Sequence, residues 1–129
     1  MRILVGTLAV ALLAGCASAP TPQEIQSADY GASVYQSDAE TAVRTYFNGR
    51  LKDPDSARYS FGNVQRGWAV GDAFHGRKLD AGYLLEVSVN AKNSYGGYTG
   101  AKPYRFLLHN DRIIKAWEIS PKGVLMQLF

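Results

Sequence analysis

A single cysteine, Cys16, stands in the 129 residues. No intramolecular disulfide, thiolate zinc site or Cys-x-x-Cys redox pair can therefore be built, and the fold must stand on packing alone. Histidine is nearly as scarce. His75 and His109 lie in different segments and in no HxH or HExxH spacing, so a metal site has no sequence support and each reads as an exposed or capping residue. There is no GxSxG turn, and Gly96, Gly97 and Gly100 lack the strand, helix and lysine of a phosphate cradle. Asp53-Pro54-Asp55 lacks the rest of a calcium loop and reads as helix punctuation. Charge of one sign is also lacking. Against 11 Asp+Glu, the 14 Lys+Arg are scattered through Arg44, Arg50, Lys52, Arg66, Lys78, Lys92 and Arg105, which leaves no electrostatic footprint for nucleic acid.

With 47% hydrophobic and 19% charged residues, the chain has the composition of one packed domain. Its start is different in kind. Met1-Arg2 followed by the apolar run ILVGTLAVALL over 3–13 matches the positive and hydrophobic regions of a secretory signal, and the run is too short to span a membrane, which takes roughly 20 apolar residues. Leu13, Ala14, Gly15 and Cys16 at its end resemble the lipobox of bacterial lipoproteins. That resemblance implies cleavage before Cys16 and acylation of its thiol, with no cofactor required; the alternative is ordinary signal cleavage near Ala17-Ser18-Ala19. By the sorting pattern of Gram-negative lipoproteins, Ala17 after the cysteine implies the periplasmic face of the outer membrane. Two or more acyl chains hold a protein stably, so the expectation is a lipid-anchored protein that does not span.

Residues 1–15 are thus expected to be signal peptide, 16–36 the lipidated cysteine and a flexible tether rich in Ala, Pro, Ser and Gln, and 37–129 a single domain. Tyr30, Val34 and Tyr35 could instead dock on the domain as a first short strand. Ser37-Asp38-Ala39-Glu40 has the form of a capping box, and the apolar spacing Ala39, Ala42, Val43, Tyr46, Phe47, Leu51 predicts an amphipathic helix ending near Lys52 ahead of Pro54. Asp53 and Pro54 could open a short further turn. Period-two patterns follow. Residues 58–64 and 64–70 are weak strands, with Gly67 suggesting a bulge; 71–81 reads as an exposed connection; 83–92 is the clearest strand. Strands over 102–109 and 112–119 complete a meander, the last with Ile113 and Trp117 on one face and Ile114, Ala116 and Glu118 on the other. The expected fold is α+β in two layers, one N-terminal amphipathic helix packed on an antiparallel β-meander of three to five strands. The uncharged tail over 124–129 is expected to pack on the domain rather than on a partner.

The segment with functional content is Asn93-Ser94-Tyr95-Gly96-Gly97-Tyr98-Thr99-Gly100-Ala101, followed by Lys102 and Tyr104. Tyrosine offers large contact area at low entropic cost while serine, glycine and asparagine adapt around it, which makes Tyr95, Tyr98, Lys102 and Tyr104 candidate partner-binding residues. The alternative is that a tyrosine folds back over the sheet edge and the glycines only permit turns. The stretches from Leu51 to Tyr59 and from Asn90 to Tyr98 also resemble a group of small bacterial and phage-borne envelope proteins without a settled activity. Together these features suggest a non-catalytic module that binds another envelope protein, with no small-molecule substrate. A second expectation is an inhibitor or immunity lipoprotein against a periplasmic hydrolase, and a third, weaker one is a small enzyme using Asp72, His75 or Asp80.

Overall fold

The computed structural model describes residues 19–71 and 76–129. Cys16 with the rest of the lipobox, and Asp72 and His75, lie outside those residues. Helices α1 (Pro22–Ser27) and α2 (Gln36–Asn48) precede a 3-10 turn at Pro54–Ser56. Six strands follow: β1 (Arg58–Phe61), β2 (Gln65–Val70), β3 (Leu79–Asn90), β4 (Lys102–His109), β5 (Arg112–Ile119) and β6 (Leu125–Gln127). They form one antiparallel sheet in the order β1-β3-β4-β5-β6, with β2 also paired to β3. The protein is therefore α+β. Among the described residues there are six strands where three to five were expected, and the long amphipathic helix is preceded by a short one.

The segment assigned to a flexible tether is structured from Thr21 onward. Thr21 caps α1 through a reciprocal box in which its hydroxyl accepts from the Glu24 amide and the Glu24 carboxylate accepts from the Thr21 amide. Tyr30 donates to the Ile25 carbonyl and lies under the Arg66 guanidinium, 4.6 Å from its ring centroid. Val34 enters the core. The alternative of docking holds for Tyr30 and Val34, yet without a strand, while Tyr35 stays exposed.

The expected capping box at Ser37 is not where α2 begins. Tyr35 occupies the cap position without a side-chain hydrogen bond, and Gln36 anchors the first turn instead. Its amide group donates to Glu40 and to the Gly62 carbonyl and accepts from the Val64 amide. Ala39, Val43 and Phe47 then bury one stripe against the sheet. The helix stops at Asn48, and Pro54 opens the separate 3-10 turn.

The sheet's covered face is built from Leu85, Val87 and Val89 of β3, Phe106 and Leu108 of β4, and Ala116 of β5. Aromatic rings lock the layers together: Phe47 meets Tyr104 at 5.0 Å and Phe106 at 5.7 Å, both edge-on. Two register shifts depart from the alternation read in the sequence. Phe61 pairs with Val87 but Gln65 with Leu84, so the extra residue lies within 62–64, while Gly67 pairs regularly with Gly82. Between Leu107 and Leu108 the partner strand gains Ile114, so Ile113 and Ala116 both face α2 and Trp117 turns to the opposite face beside Arg105. Gly82 is also a point of close approach, since a Cβ there would stand 2.0 Å from the Leu108 carbonyl oxygen. β3 begins at Leu79, inside the segment read as a connection, because Leu79 to Leu84 pair with β2. The C-terminal tail packs on the domain: β6 pairs with β5 and the Phe129 ring lies 5.8 Å from Tyr46.

Candidate functional site

The β3–β4 connection stands at one end of the sheet, and the β4–β5 turn at Asn110-Asp111 at the other. The eight residues of β4 separate them by about 27 Å at a strand rise of ~3.4 Å per residue. The N-terminal segment docks at the second end, where the Ala32 amide donates to Asn110 Oδ1 at 2.9 Å. The tyrosine-rich connection is therefore the end farthest from it.

Asn93 organises the tip of that connection. Its Oδ1 accepts from the amides of Tyr95 (2.9 Å) and Gly97 (3.2 Å), its own amide donates to the Gly97 carbonyl, and its carbonyl accepts from Gly96. Gly96 takes a left-handed conformation, φ 79°, that closes this turn without the cost a Cβ would carry. The result is a turn held by its own hydrogen bonds that presents the Tyr95 side chain, 96% exposed, to solvent.

The four candidate binding residues take different places. Tyr95 projects from the tip, and Lys102 is exposed where β4 begins. Tyr98 folds back: its phenol donates to the Ser56 carbonyl at 3.0 Å, and its ring lies beneath the Arg58 guanidinium at 4.2 Å. Tyr104 is half-buried against Phe47, and its phenol is pushed above its usual value mainly by burial, with Glu118 and Tyr46 adding in the same direction. Sequence reasoning did not foresee that Arg50, Lys52, Arg58 and Lys92 gather around this end. They come from separate segments, and no linear run announces them.

A second cluster lies at the opposite end. A cavity of about 520 Å³ is lined by Asp29, Lys78, Asp80, His109, Lys115 and neighbouring apolar residues. Asp80 holds Lys78 at 3.4 Å and Lys115 at 3.5 Å. His109 Nδ1 lies 2.8 Å from the Ala81 carbonyl, which makes Nδ1 the protonated nitrogen of the neutral ring and aims Nε2 toward Asp29, 3.9 Å away. His109 is thus half-buried and held against the sheet, where an exposed or capping residue was expected. Among the described residues no hydroxyl or thiol lines the cavity, and both of its lysines are held by Asp80. Among the described residues no three His, Cys, Asp or Glu side chains converge on a metal site, and no helix is long and apolar enough to cross a membrane.

No protein-family model matches the chain, and comparisons with curated proteins and with solved structures give no match.

Proposed function

We propose that the chain is an envelope lipoprotein, anchored at the outer membrane through Cys16, whose domain is a non-catalytic module for binding another envelope protein. The observation that carries this reading is Tyr95. A bulky amphipathic side chain is held almost wholly in solvent on a turn that Asn93 has already ordered, so burying it against a partner costs little further backbone entropy. The position supports the same reading. The turn stands about a strand's length, ~27 Å, beyond the docked N-terminal segment, facing away from a membrane reached through that segment.

The experiment is capture from cells expressing the full chain, by crosslinking before detergent extraction, comparing the wild type with Tyr95→Ala. The module reading expects a standing envelope partner that Tyr95→Ala captures at least about tenfold less well, the loss typical of a central aromatic contact. Equal recovery by both proteins overturns it. A one-to-one complex with a single hydrolase, seen only when that enzyme is produced, replaces the module with an inhibitor. Mass spectrometry of the mature N-terminus tests the anchor, and an unmodified Cys16 thiol overturns that part.

A further inference from the structure

We infer that the surface around Tyr95 is built for an acidic partner, with a carboxylate side chain of that partner seated in the cleft between the end of α2 and the β3–β4 connection. This rests on the reading of that end as the binding surface, and adds the chemistry of what binds there.

Charge is distributed unevenly between the two ends of the domain. Near the docked N-terminal segment and on the uncovered sheet face, four cations are matched by carboxylates, Arg77 by Glu24, Lys78 and Lys115 by Asp80, Arg105 by Glu86, while Arg66 and Arg112 stand apart from one another on β2 and β5. At the tyrosine end, Arg50, Lys52, Arg58, Lys92 and Lys102 form no ion pair among the described residues. Asp53 and Asp55 stand on the adjacent 3-10 turn and form none either. Four of the five cations line one cleft of about 230 Å³, Arg50 and Lys52 on one wall and Lys92 and Lys102 on the other, and no carboxylate lines it. Gathering like charges without counter-charge disfavours the isolated fold, and an arriving anion reverses the sign of that interaction.

The two arginines are already positioned. Arg50 lies over the Tyr46 ring at 3.8 Å and donates to the Tyr46 carbonyl, and Arg58 lies over Tyr98 at 4.2 Å. A guanidinium stacked on a ring keeps in-plane N–H groups for a carboxylate, so little ordering remains to be done on binding. The cleft accepts one side-chain carboxylate, while Tyr95, projecting from the turn whose Asn93 lines the cleft, supplies apolar contact; tyrosine and arginine are both enriched in protein–protein hot spots. Distance argues against the headgroups of the anchoring membrane, since this end stands a strand's length from the docked segment.

The test uses the full chain in neutral detergent micelles and a fluorescein-labelled octaglutamate peptide, read by anisotropy at low and high salt. Wild type binds the peptide, and raising the salt weakens it, as screening requires. Lys92→Glu with Lys102→Glu weakens binding at low salt by about tenfold or more. The equal charge change Lys78→Glu with Arg112→Glu, at exposed positions toward the opposite end of the sheet, leaves it within about twofold, with far-ultraviolet circular dichroism verifying both folds. Equal losses in the two double variants, or no binding by wild type, overturn the inference. So does stronger cleft-dependent binding to phosphatidylglycerol vesicles than to the peptide, which assigns the cleft to lipid. Where Tyr95-dependent capture persists unchanged in the Lys92/Lys102 variant, the module stands and its acidic partner falls; loss of Tyr95 dependence alone removes the module and leaves the anion site.

Discussion

The Tyr98 phenol donates a 3.0 Å hydrogen bond to the carbonyl of Ser56, 42 residues earlier in the chain. With the Ser56 hydroxyl accepting from the Lys92 amide at 2.9 Å, this clamps the β3–β4 connection to the 3-10 turn. Two tyrosines three positions apart consequently have opposite roles. Tyr98 is a strut that aims the connection, and Tyr95 is what it aims.

Tyr98→Phe keeps the ring beneath Arg58 and deletes the strut's hydrogen bond. The expected loss is about 0.5–1.5 kcal/mol, the net worth of one such bond, measured by urea unfolding. In amide exchange, Lys92 and Gly100 lose protection before the core strands do. An unchanged exchange pattern would show that the clamp does not hold the connection.

Tyr59 carries the reverse case. Its hydroxyl is buried with no hydrogen-bond partner, while its ring stacks on Phe61 at 5.5 Å under the Arg44 guanidinium at 4.6 Å. Tyr59→Phe removes an unsatisfied polar atom and keeps both ring contacts. Stability should stay level or rise by up to about 1 kcal/mol, and a loss larger than that in thermal or urea unfolding would reveal a partner for the hydroxyl.

Gly82 and Gly97 make a matched pair. A methyl at Gly82 would stand 2.0 Å from the Leu108 carbonyl oxygen, a backbone atom that cannot rotate away, whereas the nearest atom to one at Gly97 is Asn93 Oδ1 at 3.9 Å. Gly82→Ala is expected to cost about 3 kcal/mol or to prevent folding, as overpacking does, and Gly97→Ala less than about 0.5 kcal/mol. Comparable unfolding midpoints for the two would contradict the close approach of β3 to β4.

Stability should fall at both pH extremes for separable reasons. The Thr21 amide, followed by the Arg77 side chain, holds the Glu24 carboxyl below its ordinary range. A lowered folded pKa stabilises above the unfolded value and is lost as pH falls through the lowered one, so α1 should undock first in acid, visible in the Thr21 and Glu24 amide shifts. Tyr104 and Tyr59 are shifted upward from 10.0, chiefly by burial. Their raised values stabilise fully below 10.0, and that contribution drains away as pH climbs through them. Tyr104→Phe should flatten part of the alkaline arm of an unfolding-versus-pH curve, and an unchanged arm would place the alkaline sensitivity elsewhere.

The α2 stripe and the alternation of β3 and β4 were legible because burial on one face repeats at the period of the backbone, and Ala39, Val43, Phe47, Leu85 and Phe106 all lie where that period puts them. The gap of two residues between the strands over 102–109 and 112–119 was legible too, and Asn110 and Asp111 fill it with positive φ, as a two-residue hairpin requires. Where local signals competed, non-local contacts decided. The capping pattern at Ser37 yielded to Gln36, whose partners Gly62 and Val64 are distant in sequence. Ile113 and Trp117 appeared to share a face until the bulge against Leu107 and Leu108 inserted Ile114. Residues around Thr21 read as linker because their composition is polar, yet their reciprocal cap and the docking of Tyr30 on Arg66 order them.

By itself the sequence determined the long helix, most of the strands, and a connection rich in tyrosine and glycine between two of them, since each depends on residues within one turn or one hairpin. Only the tertiary structure decided that Tyr95 projects while Tyr98 is tied down, and that cations from α2's end, β1 and the β3–β4 connection meet in one cleft. Those outcomes depend on which separate segments the sheet brings together, and chain-local preferences carry no term for that distance.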